Sequence, residues 1–112
     1  ETVASDTGSS VDVRDVADAH VLAAQIPEAG NERVIVSEGD YFTQEILDIA
    51  NTIQPPVYDK IPKGVPGSVK GKEVLITYDT TKFQKLYGYK YTPLKDTIRD
   101  SLEDFKARGW LS

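Results

Sequence analysis

VDVRDVADAHVLAAQ, residues 11–25, is the stretch that decides the fold class. It opens as a short apolar run at Val11 and Val13 and passes at once into helical spacing. Asp12 is placed as the N-cap, its carboxylate able to accept the free N–H groups of the first turn. Asp15, three residues on, can reach back toward the cap and sets negative charge at the positive end of the helix dipole. Val13, Val16, Ala17, His20 and Ala24 fall on one helical face and most are small, so the helix is expected to lie close against a flat layer. A strand-to-helix switch with such a face is what an α/β layer needs.

The chain beyond it repeats the alternation. PEAGN (27–31) reads as a turn and RVIVS (33–37) as a short buried strand of β-branched residues. Glu38-Gly39-Asp40 is expected to turn the chain, and Thr43 to cap a helix running to about Thr52, striped by Phe42, Ile46, Ile49, Ala50 and Ile53. Residues 54–71 hold four prolines and three glycines, which predicts a long irregular connection, and loops of that length often bind or cover something. EVLITY (73–78) reads as a second strand. Asp79 then caps a short helix with Phe83 and Leu86 inward and Gly88 ending it in a left-handed turn. A last helix is expected with Thr92 as its cap, Pro93 in its first position, and a buried face of Leu94, Ile98, Leu102 and Phe105. Residues 1–10 read as a polar loop or a cut edge, and 11–112 as one subdomain. Two or three short strands make a poor sheet alone, which implies a partner sheet outside this stretch.

Composition narrows the function classes. The chain has 112 residues, enough for one domain with a modest core. Its net charge of −5, with 13 scattered Lys and Arg, argues against a nucleic-acid surface. No apolar run is long enough to span a membrane, and no leader segment is visible. Without cysteine and with a single His, disulfide and zinc chemistry have no ligands to draw on. A cytoplasmic protein is the expectation.

Candidate chemical groups have plainer readings. Tyr91 and Lys95 carry the Tyr-x-x-x-Lys spacing in which an ammonium lowers a phenol's pKa, but Pro93 lies between them and Tyr91 precedes the helix, so the two would not share a face. His20 is read as a hydrogen-bonded structural histidine, and Asp12, Asp15 and Asp18 as cap and surface groups rather than metal ligands. Tyr87 and Tyr89 form an aromatic cluster about Gly88. No Gly-rich phosphate cradle occurs. The lysines at 60, 63, 70 and 72 are read as solvated loop charge.

Four segments taken together carry a resemblance: VDVRDVADAH, then ERVIVSEGDYFTQEILDIAN, then YDTTKFQKLYGYKY, then LKDTIRDSLEDFKARG. In this order they resemble the C-terminal third of extended short-chain dehydrogenase/reductases, over about residues 11–109. The nearest branch holds dihydroflavonol reductases, cinnamoyl-CoA reductases and the fungal NADPH-dependent aldehyde, ketone and methylglyoxal reductases. Asp79, Lys82, Leu86 and Gly88 follow the family's pattern, which usually has Leu and Gly adjacent.

The resemblance implies an α/β fold, the C-terminal substrate-binding portion of a Rossmann-type enzyme with short strands alternating with helices. It implies that NADPH and the catalytic Ser, Tyr and Lys belong to an upstream Rossmann domain of the same protein, and that this stretch carries no catalytic or cofactor-binding residue. Nucleotide-sugar relatives often show Arg-Pro-Gly-Asp in the long loop. Here Val65-Pro66-Gly67-Ser68 lacks both charges, which favours a small carbonyl substrate. Tyr58, Lys63 and Pro66 are the expected substrate contacts. Two other readings stand beside this one: a free-standing small α/β binding domain without catalysis, and an epimerase or dehydratase of the same superfamily.

Overall fold

The cap at Asp12 forms as its side chain dictates. In the computed structural model, which describes residues 6–112, the Asp12 carboxylate accepts the Arg14 backbone N–H at 2.9 Å. Helix α1 (Val13–Gln25) starts at once behind it. A single 3₁₀ turn (Pro27–Ala29) follows, and Gly30 ends it. The remaining elements are strand β1 (Thr7–Ser10), strand β2 (Gly39–Phe42) and helices α2 (Thr43–Thr52), α3 (Thr81–Tyr87) and α4 (Leu94–Ala107). The architecture is α/β.

The sheet is not built from the expected runs. Thr7–Ser10, read as part of a polar loop, pairs antiparallel with Gly39–Phe42, in the register Thr7 with Phe42 through Ser10 with Gly39. Glu38 and Asp40 therefore do not turn the chain. The Glu38 N–H donates to Ser10 O and the Thr43 N–H to Asp6 O, extending the ladder by one bond at each end. Ser9 Oγ donates to Asp40 across the pair at 2.5 Å. Gly8 lies against the Tyr41 ring, whose phenol oxygen would stand 2.8 Å from a Cβ there, so a larger residue would displace that side chain. RVIVS (33–37) joins no ladder, although its three aliphatic residues are half-buried, and EVLITY (73–78) joins none either. A β-branched run becomes a strand only when a neighbour offers its backbone, and none does so among the described residues.

Helix α1 also turns a different face inward. Asp15 and Ala19 are buried, whereas Val13 is 79 % and Val21 55 % exposed. The acid wins the buried position because three donors meet it there, as described below. At α2 the cap is Phe42 rather than Thr43, and its N–H donates to the Glu45 carboxylate at 3.0 Å. At α4 the cap is Pro93, and Thr92 is drawn away to Asp15.

The core lies between α2 and α4. Ala50, Ile53 and Ile98 are buried together, with Ile46, Ile49, Val57, Ile61, Leu94 and Leu102 packed about them. The buried Ile53 and Ile98 side chains each contribute about 1.5–3 kcal/mol relative to exposure. The expected face of α4 holds to Leu102 and then surfaces, since Phe105 is 39 % exposed and packs at a tilt against Trp110. Gly109, at φ 73°, turns the chain back so that Trp110 N–H reaches Phe105 O. A second cluster centres on Phe83, fully buried and ringed by Tyr87, Tyr89 and Tyr91 at 4.9–5.8 Å between ring centroids. Gly88, at φ 55°, ends α3 in the left-handed turn its sequence predicts.

Candidate functional site

The long connection after α2 is irregular but held at named points. Gln44, 1 % exposed in the first turn of α2, is the main one. Its Nε2 donates to Lys63 O and to the Asp48 carboxylate, each at 2.8 Å, and its Oε1 accepts the Val65 N–H at 3.0 Å. One turn on, Asp48 accepts the Gly67 N–H at 3.2 Å, and Asn51 Nδ2 donates to Pro62 O at 3.2 Å. Positions 44, 48 and 51 lie on one helical face, so one side of α2 binds the backbone of residues 62–67. A buried amide with donor and acceptor both satisfied stabilises a single geometry, because leaving either end unmet costs about 1–3 kcal/mol. Val69, 5 % exposed, anchors the far end of the loop.

The three expected substrate contacts separate into two places. Lys63 and Pro66 share the pinned stretch: Lys63 is held by its carbonyl while its side chain is exposed, and Pro66 is exposed between the held residues Val65 and Gly67. Tyr58 lies elsewhere, its hydroxyl donating to Ser112 O at 2.8 Å beside Lys60 Nζ at 3.2 Å from the same oxygen. None of the three lines the larger surface depressions. One of these, of about 640 Å³, is lined by Thr7, Phe42, Lys72, Glu73, Leu75 and Ile76. Another, of about 520 Å³, carries Arg33, Lys82 and Lys85 with Asp79 and Thr81. Sequence reasoning missed Gln44 and Asp48. The loop groups they hold lie 19 to 21 residues away, and no local pattern signals that.

The acidic groups of α1 are structural. Asp12 takes a bidentate pair from Arg14, 2.8 Å from Nε and 2.7 Å from Nη2, and the Thr97 hydroxyl at 2.8 Å. The Arg14 hydrogen bonds hold its carboxyl well below the usual carboxylate range, against the opposing effect of burial. Arg14 also reaches Asp100 on α4 at 2.9 Å, so one guanidinium ties α1 to α4. Asp18 meets the Tyr89 hydroxyl at 2.6 Å, and this contact with burial and Asp15 pushes the phenol's pKa up. Among the described residues no group of three acidic, His or Cys side chains is placed to hold a metal ion.

The remaining candidates also resolve to structure. His20 is exposed, its Nδ1 2.7 Å from Val16 O, so it is hydrogen-bonded as expected but does not stand on the packed face. Tyr91 is half-buried against Phe83 with its hydroxyl beside the Ser37 backbone, without a well-formed hydrogen bond. Burial pushes its pKa up, opposite to the direction a neighbouring ammonium would give. Lys95, exposed at the start of α4, is not among the groups that shift it.

No family model matches the chain. Individual proteins do. The NADPH-dependent methylglyoxal reductase GRE2 of Saccharomyces cerevisiae is 44 % identical over 95 residues, which cover 84 % of this chain and 28 % of that protein. The structure of yeast methylglyoxal/isovaleraldehyde reductase Gre2 complexed with NADPH superposes with a TM-score of 0.80 at 40 % identity, over 97 % of this chain and 32 % of that one. The structure of Gre2 from Candida albicans gives 0.83 at 34 % identity, over 97 % and 33 %. The chain thus spans about a third or less of the length of these relatives. No described helix is long and apolar enough to cross a membrane.

Proposed function

We propose, for a chain homologous to the C-terminal third of the extended short-chain dehydrogenase/reductases, that it is the substrate-side portion of an NADPH-dependent reductase of small aldehydes and ketones. Its Rossmann domain is then an upstream stretch of the same cytoplasmic protein. The observation that carries this reading is the bare face of α1. Val13 and Val21 are 79 % and 55 % exposed, with Ala17 and Ala24 exposed between and beyond them. These four positions follow helical spacing, so they form one apolar stripe of small residues suited to close packing on a flat layer.

The division of labour follows from the chemistry of the groups present. No residue of this chain is assigned to NADPH, because it offers no Gly-rich phosphate cradle. NADPH, when bound by the upstream domain, supplies the hydride. This chain's part is to bind and orient. The stretch 62–67 is fixed to α2 by Gln44 and Asp48, which supports Lys63 and Pro66 on it as substrate contacts, and the Tyr58 hydroxyl donates to Ser112 O. A surface without paired charges at Val65-Pro66-Gly67-Ser68 suits a small carbonyl compound better than a diphosphate.

The stripe gives the test. In the longer protein, Val13→Lys with Val21→Lys is expected to abolish NADPH-dependent reduction by detaching this portion. In the 112-residue chain the same pair is expected to leave thermal melting unchanged, because both side chains already face water. Retained reductase activity in the longer variant, or a collapsed short variant, would overturn the assignment of this face.

A further inference from the structure

The sequence holds four arginines, at 14, 33, 99 and 108. Carboxylates hold three of them. Arg14 pairs with Asp12 at 2.7 Å and Asp100 at 2.9 Å, Arg99 with Asp96 and Asp100 at 2.9 Å each, and Arg108 with Asp104 at 2.6 Å. Arg33 is the exception. Among the described residues its guanidinium meets no carboxylate, although its own carbonyl accepts the Lys82 ammonium at 3.2 Å. Its exposed side chain lines the depression of about 520 Å³, beside Ile35, Thr81, Lys82 and Lys85. Asp79 lines the same depression but stands beyond ion-pair distance of Arg33, with Oδ1 engaged by Thr81.

We propose that Arg33 is the residue of this chain that a 1,2-dicarbonyl modifies covalently, its guanidine closing a five-membered ring on the two carbonyl carbons. That such a compound reaches the chain rests on the reductase reading, whereas the choice among the arginines does not. The guanidinium first gives a proton to solvent. One nitrogen then attacks the aldehyde carbon and a second the ketone carbon, each carbonyl becoming a hydroxyl, so the ring diol holds every atom of both reactants. The hydrogen on the former aldehyde carbon leaves as a proton, the hydroxyl leaves from the former ketone carbon, and tautomerisation gives a hydroimidazolone and one water. One carbon is oxidised as its neighbour is reduced, so no outside oxidant is needed. The single amine nitrogen of Lys82 or Lys85 cannot close this ring, and adducts there revert.

The ion pairs decide which arginine reacts. The nucleophile is the neutral guanidine, a small fraction at neutral pH, so anything that holds the proton or occupies the N–H groups slows the step. Asp12 and Asp100 do both at Arg14, and Asp100 does so at Arg99; each guanidinium is held more firmly protonated than an isolated one. Asp104 occupies Nε of Arg108 in the same way. Arg33 has no such partner, and its depression opens to solvent for a small dicarbonyl. The outcome for the fold differs as well. A ring on Arg14 would break the tie between α1 and α4, while a ring on Arg33 breaks no described ion pair.

Adduct mapping by peptide mass spectrometry tests it, with methylglyoxal as the probe. The longer protein, upstream stretch included, is treated without NADPH so that the probe is not consumed. Arg33 is expected to gain the mass of one methylglyoxal less one water about tenfold faster than Arg14 or Arg99, the factor that a hydrogen bond to a charged group sets. Asp104→Asn, a change at an exposed position of α4, removes the charge that holds Arg108 and is expected to raise its rate toward that of Arg33. In urea all four arginines should react alike. Equal rates in the folded protein, a first adduct at Arg14, Arg99 or Arg108, or a preference for Arg33 that survives in urea would overturn the proposal. So would an Arg108 rate that Asp104→Asn leaves unmoved. NADPH oxidation is read separately and decides the reductase reading, so either can fail without the other.

Discussion

Asp15 of α1 and Thr92, 77 residues later, form a closed pair: the carboxylate accepts the Thr92 N–H at 2.8 Å and the Thr92 hydroxyl at 2.9 Å. The Tyr89 hydroxyl adds a third contact at 2.9 Å. Asp15 is 1 % exposed. A buried carboxylate is tolerated where donors surround it, and removing it strands them. The segment entering α4 is thereby fastened to the first turn of α1.

Asp15→Ala is accordingly expected to destabilise the chain by about 2–4 kcal/mol, leaving a backbone N–H and a hydroxyl unmet. Asp15→Asn, which keeps one acceptor oxygen, should cost less. Urea unfolding measures both. A change under about 0.5 kcal/mol for the alanine variant would refute the closed pair.

The Asp12 carboxyl is held below its ordinary value of 3.8 in the folded chain, chiefly by the Arg14 hydrogen bonds. A depressed folded pKa contributes stability that is fully present above the unfolded value and is lost as pH falls toward the folded one. Stability should therefore not change through this group from pH 7 to 5 and should fall below about pH 4. Asp12→Asn is expected to shrink that acid-side fall, measured as the difference in unfolding free energy between pH 5 and pH 3. An unchanged acid limb would refute the assignment.

Gln44→Ala should free the loop without unfolding α2. The expected result is faster hydrogen exchange at Val65, whose N–H loses its acceptor, and a loss of about 1–3 kcal/mol in stability. Protection at Val65 equal to that of the unaltered chain would show that Gln44 does not pin the loop.

Tyr89→Phe removes the hydroxyl that meets Asp18 at 2.6 Å and Asp15 at 2.9 Å. Since those carboxylates push the phenol's pKa up, the alkaline absorbance titration should lose a tyrosine that ionises late. Loss of one that ionises near the ordinary value of 10.0 would contradict the geometry.

How much was legible in the sequence depended on distance along the chain. The cap at Asp12, the stop at Gly88 and the stripe of α2 follow from neighbours within a turn, and they form as read. The inward face of α1 does not, because Asp15 owes its burial to Thr92 and Tyr89, far away in sequence. RVIVS has the composition of a strand but no described neighbour to pair with. Thr7–Ser10 has no apolar alternation, and it became a strand because Gly39–Phe42 lies beside it. The long loop was visible from its prolines and glycines. The residues that hold it were not, since nothing local distinguishes Gln44 from any polar residue in a helix's first turn.

The proposed place of this chain, as the substrate-side portion of an NADPH-dependent carbonyl reductase, has an enzymatic readout. Its most direct test is the decrease in NADPH absorbance at 340 nm when the longer protein, upstream stretch included, is given methylglyoxal or another small aldehyde. Turnover by the longer protein, and none by the upstream stretch without residues 11–112, is the expected result. A longer protein that binds or oxidises no NADPH, or an upstream stretch that turns over fully without this chain, would contradict it.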